Sequence, residues 1–371
     1  MIIGIVQLLI WLDDGSIPDV NIKSGSDLHY STLLIMASKE GRINAIRLLL
    51  KYGASINQEN EELYTALAVA CYEDYLDIVK LLHSRGADMS DEYILLTACQ
   101  NGHVEIVRYL LDHGANINRV RNACGTPLAA ACRSQHFELV KLLIARGADI
   151  NCAFVGDDED NNSHPLAAAS FGNHLEIVKY LVSAGADVLI CSPLAFLYQD
   201  NIELISYLLD NGADIDAFSP YSNPLIKASS FGLVENVKCL LERGANVHVR
   251  NTAKDNSTPL INACMMNNYN RARLYPAIKL LLDYGADTND VDSEGDSALI
   301  RLLKTSTPAT AEGDLECVRL LLQYGADVTL TNLAGRSASS LVEAGSAICN
   351  LLEEYRDQND RELLAVKPLV K

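Results

Sequence analysis

The sequence predicts an all-α repeat solenoid, and three observations support this prediction. A glycine followed by a small residue recurs along the 371-residue chain at intervals of 27 to 41 residues. An apolar stripe with helical spacing precedes each of these glycines, and a further helix start lies about twenty residues before most of them. Repetition at such a period is typical of arrays in which each unit packs only against its neighbours. The recurring glycines are Gly15, Gly53, Gly86, Gly114, Gly147, Gly185, Gly212, Gly244, Gly285 and Gly325.

The stripe marks the second helix of each repeat. The seventh residue before the glycine is aliphatic in every repeat, and the fourth is leucine except in the first repeat, which has Trp11. Spacings of three and four residues place these side chains on one helix face and predict a buried stripe. The glycine can adopt a positive φ and end the helix without steric cost. The seventh residues are Leu8, Ile46, Val79, Val107, Val140, Val178, Ile205, Val237, Ile278 and Val318.

The first helix of several repeats begins at a polar residue followed by proline and leucine. Serine, threonine or asparagine at the cap and proline in the first turn form a helix-start signal. Small residues follow in a common register, where only small side chains let neighbouring helices pack closely. Four of the ten cysteines, Cys71, Cys99, Cys132 and Cys264, occupy this register. The helix starts are at Thr126, His164, Ser192, Asn223 and Thr258.

Three motifs resemble the ankyrin repeat family. They are the opening Thr126-Pro127-Leu128, the pair Gly102-His103, and the Gly-Ala-Asp-Ile-Asn ending from Gly147 to Asn151. The resemblance covers roughly residues 6–357 and about ten repeats. It implies paired antiparallel helices stacked into a curved solenoid, with short β-hairpin fingers between the repeats. It also implies that partners bind the concave face and the fingers.

The predicted organisation is a single solenoid over residues 1–357 with a C-terminal tail over 358–371. Residues 1–22 form a partial N-terminal repeat, which a truncated cap and a fragment of a larger protein both explain. Residues 336–357 form a polar C-terminal capping repeat. Short repeats predict missing fingers after Asp88 and near Cys191, whereas the finger over 153–163 is long.

The composition restricts the compartment and the partners. The net charge is −18, and 49% of the residues are hydrophobic, which favours a folded chain and disfavours nucleic acid and membrane surfaces. The apolar stretch from Met1 to Leu12 is too short to span a bilayer and lacks a basic flank. Ten dispersed cysteines indicate neither a zinc site nor a disulfide framework. We expect an intracellular monomer, cytoplasmic or nuclear, that binds a protein partner of basic character.

No residue pattern indicates catalysis, a cofactor or a metal. His103, His136 and His174 share one register, but stacked helices hold such positions about 10 Å apart, too far for one zinc ion. We therefore expect them to form loop hydrogen bonds. Seven repeats carry a carboxylate nine residues before the glycine, which suits the helix dipole. These carboxylates are Asp77, Glu105, Glu138, Glu176, Glu203, Glu235 and Glu316.

The positions that vary between repeats are the candidate binding surface. They follow the small residue of the first helix, and aromatic or methionine side chains there can supply contact area. The alternative is that the aromatics only cover the core between repeats. The acidic finger Asp157, Asp158, Glu159 and Asp160 is a second candidate, against the alternative of a solvated loop. The variable row consists of Tyr72, Gln100, Arg133, Phe171, Phe231 and Met265.

Two asparagines are candidate modification sites. Asn151 and Asn289 stand in a leucine and acidic spacing that resembles the targets of asparaginyl hydroxylases in ankyrin repeats.

Three functions remain open. The favoured function is a non-catalytic scaffold or adaptor. The alternatives are the ankyrin part of a larger protein, such as a ubiquitin-ligase substrate receptor, channel or kinase, and an enzyme with an unrecognised site.

Overall fold

The computed structural model describes residues 20–21, 23–24, 31–90, 92–120, 125–152, 164–190, 192–218, 222–252, 254–265, 274–306 and 311–366. The chain divides into two compact units. The first contains Met1–Gly156 with Asn162–Ile177, and the second contains Asp157–Asn161 with Val178–Lys371. The apolar stretch from Met1 to Leu12 and the acidic finger lie outside the described residues.

The first unit consists of a short hairpin followed by helix pairs. Strands β1 and β2 pair antiparallel, with Lys23 opposite Thr32. The elements are β1 Lys23–Ser24, β2 Ser31–Thr32, α1 Leu33–Lys39, α2 Ile43–Lys51, α3 Ala66–Tyr72, α4 Leu76–Ser84, α5 Glu92–Asn101, α6 Val104–Asp112, α7 Pro127–Arg133, α8 Phe137–Ala145 and α9 Pro165–Phe171. Helix α10, Leu175–Ser183, carries the boundary between the units.

The second unit continues the same alternation. Its helices are α11 Ile202–Asp210, α12 Pro224–Phe231, α13 Val234–Glu242, α14 Pro259–Cys264, α15 Leu274–Asp283, α16 Ala298–Thr305, α17 Ala311–Gln323 and α18 Ala347–Val366, with 3-10 helices at Pro193–Phe196 and Ala338–Leu341. Isolated antiparallel bridges join Val291 to Ser297 and Thr331 to Ser337, closing two fingers. No helix in the described ranges combines the length and the apolarity that crossing a bilayer requires.

Helix boundaries follow the predicted start and stop signals, and the predicted all-α repeat fold is confirmed. The hydroxyl oxygen of Thr126 accepts a hydrogen bond from the amide of Ala129 at 3.1 Å, which caps α7. At the end of α8, Gly147 takes a φ of +87° and lets Ala148 N donate to Leu143 O at 3.0 Å. This reversal satisfies a helix carbonyl that would otherwise lack a partner.

One predicted first helix is reduced to a single 3-10 turn. Ser192 takes a φ of +45° and makes no cap hydrogen bond, so Pro193–Phe196 is only four residues long. The Asn236 side chain holds the backbone between this turn and α11. The Asn236 amide donates to Gln199 O at 2.9 Å, and its oxygen accepts from Asn201 N at 2.8 Å. This is the repeat in which the spacing predicts a missing finger.

Two further helices differ from the sequence pattern. Helix α17 begins at Ala311, so Glu316 lies beyond its first turn, although six of the seven predicted carboxylates do stand in first turns. The final helix, Ala347–Val366, continues past residue 357. The predicted boundary between capping repeat and tail therefore falls within a helix, and the boundary itself stays a prediction.

The core of each unit is built from the predicted stripe. Ile46, Val79, Val107 and Val140 are completely buried in the first unit, as are Ile205 and Val237 in the second. Cys71, Cys99, Cys132 and Cys264 are equally inaccessible, as the small register predicts. Small side chains here let successive first helices approach one another.

Cysteine burial predicts a two-class labelling pattern with N-ethylmaleimide. The thiolate is the reactive form, and burial raises the pKa of the Cys99 and Cys132 thiols. We expect the half-buried Cys152 and Cys349 to react in the folded protein, whereas Cys99 and Cys132 react only after denaturation. Peptide mass spectrometry on native and urea-treated samples measures this. Native labelling of Cys99 as fast as that of Cys349 contradicts it.

Candidate functional site

The variable row lies where each first helix ends. In the first unit, Tyr72 closes α3 and Phe171 closes α9, with 56% and 37% of their surfaces exposed, while Gln100 is exposed near the end of α5. Arg133 closes α7 and is partly buried. In the second unit, Phe231 closes α12 at 36% exposure and Met265 caps α14. The row therefore offers large side chains to solvent in both units.

A histidine of the following repeat fixes the backbone of three row residues. Nε2 of His103 donates to Tyr72 O at 2.8 Å, and Nε2 of His136 donates to Gln100 O at 3.0 Å. His174 makes the same bond to Arg133 O at 3.0 Å. Because a carbonyl oxygen only accepts, Nε2 carries the proton in each ring. The expected loop hydrogen bonds are thus present, and they hold the row in register.

A groove lies next to Tyr72 in the first unit. It encloses about 340 Å³, within the range of protein ligand clefts. We call it the Tyr72 groove. Its walls are supplied by α1, the turn over residues 60–64, α3 and one residue of α5. The lining residues are Ser31, Ile35, Met36, Lys39, Asn60, Glu62, Tyr64, Ala68, Val69, Tyr72, Glu73 and Thr97.

The turn over residues 60–64 is fixed by the buried Asn60. Its side-chain oxygen accepts from Glu62 N at 3.0 Å and from Tyr64 N at 2.9 Å, and its backbone amide donates to Tyr64 O at 3.1 Å. At the tip, Leu63 has a φ of +64° and 56% of its surface exposed. Sequence reasoning missed this residue. The signal that could have found it is its position two residues before the cap Thr65, since the caps Thr258, Ser297 and Ser337 are preceded there by Asn256, Gly295 and Gly335.

An aromatic and lysine cluster lies on the row in the second unit. The rings of Tyr198 and Phe231 pack edge to face with centroids 5.1 Å apart. The Lys227 ammonium lies 4.2 Å from the Tyr198 centroid and 5.0 Å from that of Phe231, and donates to Tyr198 Oη at 2.8 Å. Phe231 is therefore exposed and also packs against its neighbours. At this position an aromatic side chain can cover the core between repeats and still offer surface to a partner.

A buried ionic network holds the finger that contains Asp292 and Asp296 against α16. The carboxylates of Asp292 and Asp296 are fully buried, and both contact the Arg301 guanidinium. Lys304 pairs with Asp296 and, at 3.1 Å, with the exposed Glu294. The hydrogen bond from Lys304 and the charge of Arg301 lower the pKa of Glu294. No sequence pattern identified this network, and its burial indicates a structural role.

The remaining candidates have different outcomes. Asp157, Asp158, Glu159 and Asp160 lie outside the described residues. The exposed Asn289 donates from Nδ2 to Gly325 O at 3.0 Å and accepts at Oδ1 from Asp327 N at 2.8 Å, so its side chain bridges to the next repeat. Asn151 is partly buried. Modification of either asparagine stays a prediction.

The described side chains offer no assembled centre for metal chemistry. Within the part of the chain that the structure describes, no three histidine, cysteine, aspartate or glutamate residues are grouped as a metal site requires. The carboxylates at the starts of the second helices, such as Glu105 and Glu138, are exposed and lie in first turns. There they complement the helix dipole.

Comparison with known proteins identifies the repeats. The family model for ankyrin repeats in three copies matches residues 2–93, 90–154, 124–191, 166–251 and 225–332. The chain is 28% identical to the ankyrin repeat and KH domain-containing protein mask-1 of Caenorhabditis elegans over 313 residues, which are 80% of this chain and 11% of that protein. It is 34% identical to the human ankyrin repeat and SOCS box protein 11 over 107 residues, 28% of this chain and 33% of that protein.

A viral ankyrin repeat protein is also similar to this chain. A putative ankyrin repeat protein of Acanthamoeba polyphaga mimivirus is 31% identical over 140 residues, which are 29% of this chain and 29% of that protein. The chain thus spans a third or less of the length of each of these three relatives. The family model covers nearly the whole chain, and the stacked helix pairs agree with it. The chain belongs to the ankyrin repeat family, whose repeats serve as protein-interaction modules.

Proposed function

We propose that the chain is a non-catalytic scaffold or adaptor that binds a partner protein through the variable row and the fingers beside it. The observation that carries this proposal is the row itself. Large side chains stand exposed at the ends of successive first helices, on backbone that neighbouring repeats hold in place. Preorganised aromatic contact area lowers the entropic cost of binding.

A partner of basic character fits the charge of the chain. With a net charge of −18, the surface attracts cations and repels phosphate backbones and anionic lipid. The acidic finger Asp157, Asp158, Glu159 and Asp160 would add a local attraction that speeds encounter. We expect the protein to act inside the cell as a monomer.

Position-specific photocrosslinking tests the scaffold proposal. A photoreactive phenylalanine analogue is placed at Tyr72, Phe171 or Phe231, and in control proteins at Arg108 or Lys238, which are exposed on second helices. In lysate at about 0.15 M salt, we expect the row positions to crosslink one shared partner and the controls to miss it. Crosslinking of that partner only from Arg108 or Lys238 would contradict binding through the row.

A second candidate function is the ankyrin part of a larger protein, such as a ubiquitin-ligase substrate receptor, channel or kinase. The SOCS box in the name of the human relative, together with the short share of each relative that the chain matches, favours it. The genomic reading frame on both sides of the sequence decides between the two. A flanking domain supports the larger protein, and stop codons at both ends contradict it.

A further inference from the structure

Leu63 occupies a backbone conformation that its side chain disfavours. In three fingers an asparagine or aspartate oxygen accepts the amides two and four residues later, at Asn60, Asp292 and Asn332. The third residue after each has a positive φ, and the other two fingers place Gly295 and Gly335 there. In this left-handed region a leucine side chain meets a steric clash that glycine avoids.

Burial of the Leu63 side chain contributes little stabilisation to offset this steric cost. More than half of its surface is exposed, so burial cannot offset the unfavourable φ. Strained residues that the core does not require are concentrated at binding and switch sites. Both chain neighbours of Leu63, Glu62 and Tyr64, line the Tyr72 groove. The strained leucine therefore stands at the edge of a cleft.

The acidic side chains around the Tyr72 groove favour a partner segment that carries positive charge. Glu62 and Glu73 line it, Lys39 is the one cation among the described residues of its lining, and Glu59 and Glu61 are exposed on the adjoining turn. Within the described residues Glu73 forms no ion pair, although it is partly buried. A cationic side chain would supply that missing partner, whereas an acidic one would be repelled.

We propose that the Tyr72 groove binds a segment of a partner protein in which a bulky apolar side chain is flanked by arginine or lysine. The apolar side chain enters the groove between Ile35, Met36 and Tyr72, with Leu63 covering it from the turn. The basic flanks face Glu62 and Glu73. This inference rests on the proposed scaffold function and deepens it, because it names the chemistry of one contact.

Peptide binding to the full chain tests the inference. The probes are fluorescein-labelled peptides with a central Leu, Phe or Trp flanked on both sides by Arg, Ser or Glu, titrated in about 0.15 M salt with anisotropy as the signal. We expect the Arg-flanked peptides to bind at least tenfold more tightly than the Glu-flanked ones. Glu73→Gln should weaken the Arg-flanked peptides and leave the Ser-flanked peptides unchanged.

Leu63→Asn separates binding from folding. Asparagine tolerates a positive φ, and Asn256 adopts one at the same place before a cap threonine in the second unit. We expect Leu63→Asn to keep or raise the Tm while weakening the Arg-flanked peptides at least fivefold. The matched control Asn256→Leu should lower the Tm and leave peptide affinity unchanged.

Three outcomes overturn the inference: no peptide binds, Arg and Glu flanks bind equally, or Leu63→Asn keeps full affinity. In each case, crosslinks from Phe171 and Phe231 to a shared partner would leave the scaffold function standing. Conversely, Leu63-dependent peptide binding without any crosslink from the row supports the groove and contradicts the wider row.

Discussion

Asp292→Asn is expected to lower the free energy of unfolding by about 3 kcal/mol, since it removes one member of a buried ion pair and leaves Arg301 with one buried counter-charge in place of two. The Asp292 carboxylate is fully buried, and its Oδ2 accepts from Nε of Arg301 at 2.6 Å. Arg301 itself is only 13% exposed. Asp296 still contacts the guanidinium after the substitution, which keeps the expected loss at the lower end for such pairs.

The substitution removes the pairing with Arg301 and keeps the turn, because asparagine can perform the other task of Asp292. Its Oδ1 accepts from the amides of Glu294 and Asp296 at 2.9 and 3.0 Å, and Asn60 and Asn332 close their own turns in the same way. The finger should therefore keep its shape while Arg301 loses a counter-charge. The change in stability then reports the ion pair and not the turn.

Urea denaturation followed by circular dichroism measures this effect. The control is Glu294→Gln, which removes a 60% exposed carboxylate that also contacts Arg301, and it should cost far less than Asp292→Asn because solvent screens an exposed pair. Equal losses for Asp292→Asn and Glu294→Gln would show that burial of the pair contributes nothing.

The sequence predicted the repeats because their signals are local and repeated. A leucine four residues and an aliphatic residue seven residues before a glycine determine a buried helix face wherever they occur, and Val79 and Val140 are indeed fully buried. The reduction of one first helix to Pro193–Phe196 was not predictable in this way. The hydrogen bonds that hold the backbone between this turn and α11 come from Asn236, which stands in the following repeat.

The positions of the candidate binding surface could be predicted from the repeat register, but the contacts that their side chains make could not. Tyr72 and Phe231 were found as variable positions in a fixed frame, whereas Tyr198 joined Phe231 only through the folding of a short, irregular repeat. The buried ionic network could not be predicted for another reason. No sequence pattern distinguishes Asp292 and Asp296 from the exposed carboxylates of other fingers, and only the packing of their finger against α16 buries them.

Gly102→Ala is expected to lower the free energy of unfolding by about 2–3 kcal/mol. Gly102 has a φ of +85°, and an added Cβ would lie 2.6 Å from Cε1 and 2.7 Å from Nδ1 of His136. An alanine there pays about 1–2 kcal/mol for the left-handed backbone. Moving the ring away also breaks the hydrogen bond from His136 to Gln100 O, worth about 0.5–1.5 kcal/mol.

The chain supplies a control for the backbone part of this cost. Gly114 has a φ of +89°, and a Cβ added to it meets no atom within 4 Å, so Gly114→Ala should cost only about 1–2 kcal/mol. Calorimetric Tm values for the two variants, and for each change combined with His136→Ala, separate the two terms. In the His136→Ala background, Gly102→Ala should cost the same as Gly114→Ala, because the ring that crowds Gly102 is gone. An undiminished cost there would mean that the contact between repeats does not carry the effect.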